Sequence, residues 1–323
     1  MPEILLDDKA YTGADGETVL DTLTRGGATV PSSCRSGVCQ TCLMRAVEGS
    51  VPAASQKGLK DTLRARGYFL ACQCTPTGTL RVERPGAEAG RLAATVRAIT
   101  PLNREIVSVD LECLDMGDYR AGQFINIFKD DTLSRSYSLA STPGVDPHLT
   151  LHVRKVAAGR VSGWIHEALQ VGDRVAVSQP LGECFYLPSN PEQPLLLLGT
   201  GSGLAPLYGI IRDALHLGHR GPIHLYHGSS HRDGLYLIDE LRTLTHEHAN
   251  VHYHPCVSRE EPSGDLRRGR VVDVAVGDLT GLAGWRVFLC GHPDMVQSAK
   301  KRLYLAGASL KDMYADAFIR SAA

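Results

Sequence analysis

The stretch Cys34-Arg35-Ser36-Gly37-Val38-Cys39-Gln40-Thr41-Cys42 decides how the first part of this chain folds. Its three cysteines follow the pattern C-x4-C-x2-C, and Cys72 and Cys74 follow further along the chain. A tight loop can wrap three thiolates around a small cluster while a fourth arrives from a distant strand. Gly37 has no Cβ, so backbone amides can approach the cluster there. The stretch therefore predicts a metal or iron–sulfur centre.

The same spacing is that of plant-type [2Fe–2S] ferredoxins, and residues 1–85 resemble that family throughout. A short helix predicted over residues 17–27 precedes the cluster loop, as in the ferredoxin β-grasp fold. A zinc site is the competing interpretation, but its ligands usually come as C-x2-C pairs. The fourth ligand of the family follows a short apolar run, which favours Cys72 and leaves Cys74 as the alternative. The ligands implied by the resemblance are Cys34, Cys39, Cys42 and Cys72.

The composition is that of an ordinary globular protein. Hydrophobic residues make up 43% and charged residues 21% of the chain, and the net charge of −1 gives no attraction to nucleic acid or anionic membrane. The N-terminus does not resemble a signal peptide, and the apolar run at residues 195–198 is far shorter than the ~20 residues of a membrane span. The odd number of cysteines, nine, argues against a disulfide framework. We expect a cytoplasmic monomer without a nucleic-acid partner or a membrane span.

Two linkers, residues 83–90 with proline and glycine and the proline-rich residues 187–194, divide the chain into predicted domains of residues 1–85, 91–187 and 194–323. Short β runs in the middle domain predict an antiparallel barrel or sandwich. They cover residues 93–99, 122–128, 149–154 and 174–178. Strand–helix alternation in the last domain predicts a parallel sheet covered by helices. Its predicted strands are residues 195–199, 223–227, 251–257 and 287–290, and its predicted helices are residues 205–217 and 235–244.

The middle domain contains Arg135-Ser136-Tyr137-Ser138, preceded by residues 119–125 and followed by Gly159-Arg160-Val161-Ser162. In this order the three motifs resemble the flavin-binding barrel of the ferredoxin–NADP reductase superfamily. The resemblance implies that Arg135 binds the flavin pyrophosphate, Tyr137 stacks on the isoalloxazine ring and the Ser138 hydroxyl lies near flavin N5. A strand aromatic facing the core is the alternative for Tyr137. The residues predicted to hold the flavin are Arg135, Ser136, Tyr137, Ser138, His152, Gly159, Val161 and Ser162.

FAD and FMN both occur in this superfamily. Its FMN users usually carry the ferredoxin domain at the other end of the chain, so the N-terminal ferredoxin domain favours FAD here.

In the last domain, Gly199-Thr200-Gly201-Ser202-Gly203 follows an apolar strand, where a glycine-rich turn lets the backbone approach a pyrophosphate. The turn departs from G-x-G-x-x-G, since position 204 is leucine, but it resembles the nicotinamide loop of the reductase family. Residues 289–295 resemble that family's C-G-x-P-x-M segment, whose cysteine lies beside nicotinamide C4. An inert buried thiol is the alternative for Cys290.

The tail, residues 314–318, resembles that of oxygenase reductases, whose terminal aromatic covers the flavin. Phe318 is the predicted cover, Tyr314 is the alternative, and packing of Phe318 into the core is a third interpretation. Ser230 and Arg232 favour a nucleotide 2′-phosphate, whereas Asp233 favours ribose hydroxyls; the N-terminal ferredoxin domain favours NADH. The residues predicted for the nicotinamide site are Gly199, Thr200, Gly201, Gly203, Ser230, Arg232 and Cys290, and Phe318 is added to the cofactor-binding residues as the flavin cover. The predicted catalytic residues are Ser138, Cys290 and Asp316.

Taken together, the chain resembles the ferredoxin–FAD–NAD(H) reductase component of bacterial multicomponent oxygenases. The resemblance implies multidomain α+β and α/β architecture, with a β-grasp ferredoxin, an antiparallel flavin-binding barrel and a nucleotide-binding α/β domain. It also implies a hydride from NADH, or NADPH, to FAD and single electrons through the cluster to an oxygenase or hydroxylase. The alternatives are another acceptor, such as a deoxysugar dehydrase, and a non-enzymatic [2Fe–2S] carrier or sensor.

Two further features have an ordinary interpretation beside a functional one. Basic residues near the cluster loop can steer an acidic partner, and a solvated face is the alternative; they are Arg35, Lys57, Lys60, Arg64 and Arg66. His252 and His254 could bind a metal, but we expect ordinary surface or core histidines.

Overall fold

A computed structural model describes residues 2–32, 35–37, 40–85, 91–130 and 133–318 of the 323-residue chain. It divides into two compact units, Met1–Gly90 and Arg91–Ala323. None of the helices in the described part is long and apolar enough to cross a bilayer.

The first unit is a five-stranded mixed sheet that packs against a short helix. The strand order is β2-β1-β5-β3-β4, with β1 parallel to β5 and the other pairs antiparallel. The helix begins after Thr18, whose hydroxyl accepts the Asp21 N–H, and ends at Gly26. Its elements are β1 (Glu3–Leu6), β2 (Lys9–Thr12), α1 (Val19–Arg25), β3 (Leu43–Glu48), α2 (Asp61–Ala65), β4 (Tyr68–Leu70) and β5 (Leu80–Glu83).

The second unit begins with a six-stranded antiparallel barrel. The strand order is β10-β7-β6-β11-β8-β9, and a bridge between Leu139 and Leu151 joins the two outer strands. Alternate residues of the strands point inward, as Leu149, Leu151 and Val153 do on β10. Its elements are β6 (Arg91–Pro101), β7 (Ile106–Glu112), β8 (Phe124–Phe128), β9 (Ser134–Ser138), β10 (Leu149–Arg154), α3 (Arg160–Glu167) and β11 (Arg174–Ser178).

A parallel six-stranded sheet with helices on both faces completes the second unit, in the order β15-β14-β13-β12-β16-β17. The central strand β12 is apolar without alternation because Leu195 and Leu197 pack on one face of the sheet and Leu196 and Leu198 on the other. The elements are β12 (Leu195–Thr200), α4 (Leu204–His216), β13 (Ile223–Ser229), α5 (Ile238–Glu247), β14 (Val251–Val257), β15 (Arg267–Arg268), α6 (Val271–Asp278), β16 (Arg286–Gly291), α7 (Pro293–Leu305) and β17 (Met313–Ala317).

The predicted fold class is therefore confirmed, and one predicted helix needs a correction. The helix predicted over residues 235–244 begins only at Ile238, after Leu237 in a left-handed conformation with φ of 53°. Leu235 and Tyr236 are buried, but they belong to the connection that precedes the helix. Their side chains are apolar because they pack into the core, and they are not part of an apolar helix face.

Asp213 on α4 is a buried carboxyl that makes the stability of the second unit depend on pH. Its Oδ2 has no hydrogen-bond partner among the residues that the structure describes. Burial raises the pKa of Asp213 from 3.8 to about 6, against the lowering effects of Arg120 and His216. The folded state therefore binds this proton more tightly than the unfolded state does. Stability contributed by the proton is complete below pH 3.8 and is lost as the pH rises through about 6.

We therefore predict that Asp213→Asn raises the free energy of unfolding by roughly 1–3 kcal/mol at pH 8 and has little effect at pH 4. Denaturant unfolding at both pH values measures this difference. Asp146→Asn is the control, because Asp146 receives hydrogen bonds of 2.7 and 2.8 Å from Arg212. That variant should be less stable at pH 8. An equal effect of Asp213→Asn at pH 4 and pH 8 would contradict the prediction.

Candidate active site

A cavity of about 1140 Å³ lies in the second unit, where the barrel meets the carboxyl ends of the parallel strands. Small-molecule sites usually measure ~300–1,000 Å³, so this cavity has room for an extended ligand together with part of a second one. Ligands of open α/β sheets bind at this edge of the sheet. The walls are β9, the start of α3, the loops after β12, β13 and β16, and the chain from Asp316 to Phe318.

Strand β9 forms one wall, and all four residues of the predicted flavin motif lie on it. Arg135 and Ser136 are exposed at the rim, Tyr137 is half-buried and Ser138 is buried. The Ser136 hydroxyl donates to Asn126 Oδ1 over 2.7 Å, which fixes its rotamer. Burial raises the pKa of Tyr137, so the phenol is neutral. The strand thus presents a cation, hydroxyls and an aromatic ring to one ligand.

Ser138 and Asp316, the predicted catalytic pair, come together although they are 178 residues apart. The Ser138 hydroxyl donates to Asp316 Oδ2 over 2.7 Å. Burial raises the pKa of Asp316, and the hydrogen bond from Ser138 opposes that rise. The carboxyl of Asp316 therefore holds the serine hydroxyl in one orientation at the cavity wall.

Cys290 is paired with Asp316 in the register of β16 and β17, but it lies beneath the cavity surface. Its side chain is fully buried, and its Sγ is 3.8 Å from the Sγ of Cys184. Burial, together with Cys184, raises the pKa of the Cys290 thiol well above its usual value. The neighbouring Gly291 and His292 line the cavity instead. The predicted contact of Cys290 with the nicotinamide stays a prediction.

The start of α3 presents unpaired backbone N–H groups to the cavity, with Gly159 as its N-cap. Within the described residues no side chain caps this helix, so its first-turn amides are available to an anion. Val161 and Ser162 are buried, and Ser162 Oγ accepts the Val156 N–H over 3.2 Å. The hydroxyl proton of Ser162 can still be donated to a ligand.

The glycine-rich turn after β12 lines the cavity with Thr200, Gly201 and Ser202, while Gly199 and Gly203 lie behind it. A Cβ on Gly203 would lie 2.3 Å from the Cys290 carbonyl oxygen. A Cβ on Gly291, whose φ is +123°, would lie 2.6 Å from Thr200 Oγ1. These two glycines therefore allow the turn and the end of β16 to pack directly together. They shape the nucleotide side of the cavity through backbone packing.

Phe318 also lines the cavity, and its N–H donates to the Gly291 carbonyl over 2.8 Å. Tyr314, the alternative flavin cover, is only 1% exposed and stacks on Phe288 with ring centroids 5.6 Å apart. Tyr137 and Phe318 are thus two aromatic side chains that face the same space.

The loop after β13 separates the residues that were expected to select the nucleotide. Ser230 and Asp233 line the cavity, but Arg232 does not. The Arg232 backbone N–H donates to Glu260 and its guanidinium to Ser263. Asp233 forms an ion pair of 2.7 Å with Arg104. Arg232, the cation that favoured a 2′-phosphate, is therefore not at the cavity wall, whereas the acidic Asp233 is.

His152 lines the cavity between β9 and the glycine-rich turn. Burial lowers its pKa to about 3, so the imidazole is neutral, and its Nδ1 is 3.1 Å from the Tyr236 hydroxyl. His252 and His254 lie elsewhere, on β14, where His254 stacks on Tyr226 with ring centroids 4.3 Å apart.

In the first unit, Cys42 and Cys72 are buried, and the Ala71 N–H donates to the Cys42 carbonyl over 3.0 Å, so the two cysteines lie close together. Burial raises the pKa of the Cys42 thiol, and the neighbouring Cys72 thiol adds to that rise. Cys74 is fully buried in the core, and burial raises the pKa of its thiol to about 11 against the lowering effect of the Ser55 hydroxyl. Gln73 Nε2 donates to the Arg35 carbonyl over 3.2 Å, which ties the cluster loop to the turn carrying Cys72. The predicted ligands Cys34 and Cys39 lie outside the described residues. Of the four predicted ligands, the structure therefore describes Cys42 and Cys72.

Several cavity residues were not predicted from the sequence. Arg154 shares its side of β10 with His152 and forms an ion pair with Glu105 at 2.7 Å. Strand alternation from His152 could have identified it. Arg270 and Ser258 come from the connections after β14, which carry no motif. Only the folded sheet brings them to the cavity.

Three family models match consecutive parts of the chain. A 2Fe-2S iron-sulfur cluster binding domain matches residues 5–77, an oxidoreductase FAD-binding domain matches residues 95–186, and an oxidoreductase NAD-binding domain matches residues 197–301.

Relatives that match nearly the full length are named as reductase components or subunits. The ferredoxin–NAD(P)(+) reductase component of a Pseudomonas putida naphthalene 1,2-dioxygenase system is 33% identical over 309 residues, which is 94% of each chain. The reductase subunit of an aromatic O-demethylase from Amycolatopsis sp. is 36% identical and covers 88% of this chain and 89% of its own. A crystal structure of an Amycolatopsis cytochrome P450 reductase has a TM-score of 0.69 at 32% identity, covering 98% of this chain and 99% of that one.

Proposed function

Since this chain belongs to the family of ferredoxin–NAD(P)(+) reductase components of oxygenase systems, we propose that it passes electrons from NADH to a partner oxygenase or hydroxylase. It is an NAD(P)H oxidoreductase with domains for a [2Fe–2S] cluster, FAD and a nicotinamide nucleotide. The observation that supports the proposal best is that the Ser138–Asp316 hydrogen bond lies in one cavity with the start of α3 and the glycine-rich turn.

The residues of the cavity fit FAD. Its pyrophosphate would be held by Arg135 and by the unpaired N–H groups at the start of α3, which attract phosphate. Its ring would lie against Tyr137, with Phe318 available for the opposite face. When bound, FAD accepts a hydride and releases electrons one at a time. The protein contributes a neutral phenol and a fixed serine hydroxyl to the cavity wall.

The first unit fits a [2Fe–2S] cluster. Cys42 and Cys72 would supply two thiolates and, by resemblance, Cys34 and Cys39 the other two. The hydrogen bond from the Ala71 N–H to the Cys42 carbonyl, 3.0 Å long, keeps these two cysteines close together. The burial of Cys74 beside Ser55 supports Cys72 as the fourth ligand.

NADH is the proposed electron donor. Asp233 lines the cavity and Arg232 faces away from it, an arrangement that suits ribose hydroxyls better than a 2′-phosphate. We predict that kcat/KM for NADH exceeds that for NADPH by about a hundredfold, equivalent to roughly 2.7 kcal/mol. Steady-state rates with each nucleotide measure the ratio.

We also expect Asp233→Ser to raise kcat/KM for NADPH about tenfold, because it removes a negative charge and releases Arg104 to meet the phosphate. Asp239→Ser is the matched control, since Asp239 is exposed on α5 and is not part of the cavity. A wild-type preference for NADPH, or an equal effect of the two substitutions, would refute the assignment.

An anaerobic titration with NADH tests the proposed function as a whole. We expect the flavin absorption near ~450 nm to bleach and the cluster bands to fade after it, since electrons reach the cluster through the flavin. If the flavin stayed oxidised, the chain would be a [2Fe–2S] carrier or sensor. If both cofactors were reduced but purified oxygenase components took no electrons, a different acceptor, such as a deoxysugar dehydrase, would be favoured. We also propose that the protein is a monomer and is located in the cytoplasm. Size-exclusion chromatography with light scattering tests the oligomeric state.

A further inference from the structure

Charge is distributed unevenly in the first unit. Between residues 35 and 68 the chain has six basic residues, Arg35, Arg45, Lys57, Lys60, Arg64 and Arg66, against two acids, Glu48 and Asp61. Glu48 contacts Arg81, which lies outside that stretch, with Nε and Oε1 3.5 Å apart. The excess of positive charge contrasts with the whole chain, whose formal net charge is −1.

Five of the six basic residues lie along one edge of the sheet. Strand β4 is that edge, beside β3 and next to α2. The Arg45 side chain donates to the Arg66 carbonyl over 3.2 Å, and the Arg66 guanidinium lies over the Tyr68 ring. Lys60 is the residue that immediately precedes α2, and Arg64 is in the last turn of that helix. We call Arg45, Lys57, Lys60, Arg64 and Arg66 the basic edge.

The basic edge adjoins the cluster loop. Lys57 follows the 3₁₀ turn Ala53–Gln56, which packs against the turn Ala71–Gln73 that carries Cys72. The cluster loop reaches the same place, because Gln40 Nε2 donates to the Gly58 carbonyl over 3.4 Å. A partner that bound this edge would therefore be held next to Cys42 and Cys72.

Two of these charges are available to a partner. Lys57 and Arg64 are exposed and have no ion-pair partner in the described part of the chain. Arg35 differs from them, since its guanidinium is 3.1 Å from an Asp21 carboxylate oxygen. At the opposite edge, near β2, Asp7 pairs with Arg84 and Asp8 with Arg81. The opposite edge carries one exposed cation, Lys9, whose Nζ donates to the Gly26 carbonyl over 3.3 Å, so it is the concentration of basic side chains that distinguishes the basic edge.

We propose that the basic edge is the docking surface for the electron acceptor, and that the acceptor presents acidic side chains around its own redox centre. The proposal rests on the proposed function, because it requires electrons to leave through the cluster. Complementary charge raises the rate of encounter by roughly 10- to 1,000-fold at low salt and orients the two proteins. One electron then passes from the reduced cluster to the acceptor, which is reduced by that electron while the cluster returns to its oxidised state.

A pair of artificial electron acceptors tests whether the charge of this surface favours an acidic partner. Native cytochrome c is basic, and its succinylated form, in which lysines become carboxylates, is acidic while its haem is unchanged. The full-length protein, reduced anaerobically with NADH, is mixed with each form, and cluster oxidation and haem reduction are timed at their own wavelengths. At low ionic strength the succinylated form should be reduced about tenfold faster than the native form. The rates should converge near 1 M salt, where the screening length is only about 3 Å.

Single charge reversals locate the effect. We expect Lys57→Glu, and likewise Arg64→Glu, to slow the succinylated acceptor several-fold at low salt, by roughly 3- to 10-fold, and to speed the native one. Lys9→Glu is the matched control, because Lys9 is exposed on β2, about four strand spacings or ~19 Å away across the sheet. It should leave both rates nearly unchanged.

Two results would overturn the proposal. One is a wild-type protein that reduces native cytochrome c as fast as, or faster than, the succinylated form at low salt. The other is an effect of Lys9→Glu as large as that of Lys57→Glu. The same rates are measured again with protein that has been reduced by stoichiometric dithionite instead of NADH. This second series tests the docking surface independently of hydride transfer from NADH. If NADH failed to reduce the protein but the charge dependence persisted, the proposed function would be wrong and the docking surface would stand.

Discussion

Cys72→Ser should abolish the [2Fe–2S] cluster, whereas Cys74→Ser should leave it in place. The two cysteines are separated by one residue, but their surroundings differ. Cys72 follows Ala71, whose N–H donates to the Cys42 carbonyl, and it precedes Gln73, whose side chain donates to the Arg35 carbonyl of the cluster loop. Cys74 is 0% exposed within the apolar core of the first unit and contacts Ser55. Cys74 is thus the more deeply buried of the two thiols, at 0% exposure against 7% for Cys72.

Iron and sulfide content and visible absorption measure the outcome. We expect Cys72→Ser to lose at least about nine-tenths of the cluster and of NADH-driven cytochrome c reduction, because an alcohol is a far poorer ligand for iron than a thiolate. Flavin reduction by NADH should continue, since the flavin lies in the other unit. Cys74→Ser should keep the cluster and lose only some stability, because it introduces a hydroxyl in place of a buried thiol. A cluster that survives Cys72→Ser and disappears in Cys74→Ser would reverse the assignment.

The choice between these cysteines illustrates what sequence and structure each contribute. Spacing alone identified the iron–sulfur motif because a cluster loop is local, with its first three cysteines within nine residues. The same reasoning could not separate Cys72 from Cys74 on physical grounds. Which thiol faces the loop depends on the 3₁₀ turn Ala71–Gln73 and on the packing of Ser55 from another segment.

The parallel sheet was predictable for a similar reason, and parts of the cavity were not. The uninterrupted apolar run of β12 and the repeat of strand and helix are local properties of the sequence. Arg154, Arg270 and Ser258 reach the cavity only through the order of the folded strands. The motif around Cys290 placed it at the end of a strand, but it could not show that Gly291 and His292 would form the cavity surface above a buried thiol, and its contact with the nicotinamide stays a prediction.

Ser138→Ala should lower the rate constant of flavin reduction by NADH about a hundredfold, which corresponds to roughly 2.7 kcal/mol of lost transition-state stabilisation. The Ser138 hydroxyl is fixed by its 2.7 Å hydrogen bond to Asp316, so it is positioned before the nucleotide binds. Removing it deletes the one buried hydroxyl of the flavin motif. Stopped-flow absorbance under anaerobic conditions measures the rate constant at saturating NADH.

Asp316→Asn tests whether Asp316 acts by orienting the Ser138 hydroxyl or only by filling its position in the structure. An asparagine can still accept a hydrogen bond, but it also carries N–H donors and no charge, so the serine hydroxyl loses its strongest acceptor. We expect about a tenfold lower rate, with the affinity for NADH nearly unchanged. Ser141→Ala is the control, because Ser141 is buried, accepts from the Tyr119 hydroxyl and does not line the cavity. If Ser141→Ala slowed flavin reduction as much as Ser138→Ala did, the effect would be one of folding. If Ser138→Ala left the rate unchanged, hydride entry would have to rely on Cys290 or His152, and the Ser138–Asp316 pair would serve only to join the barrel to β17.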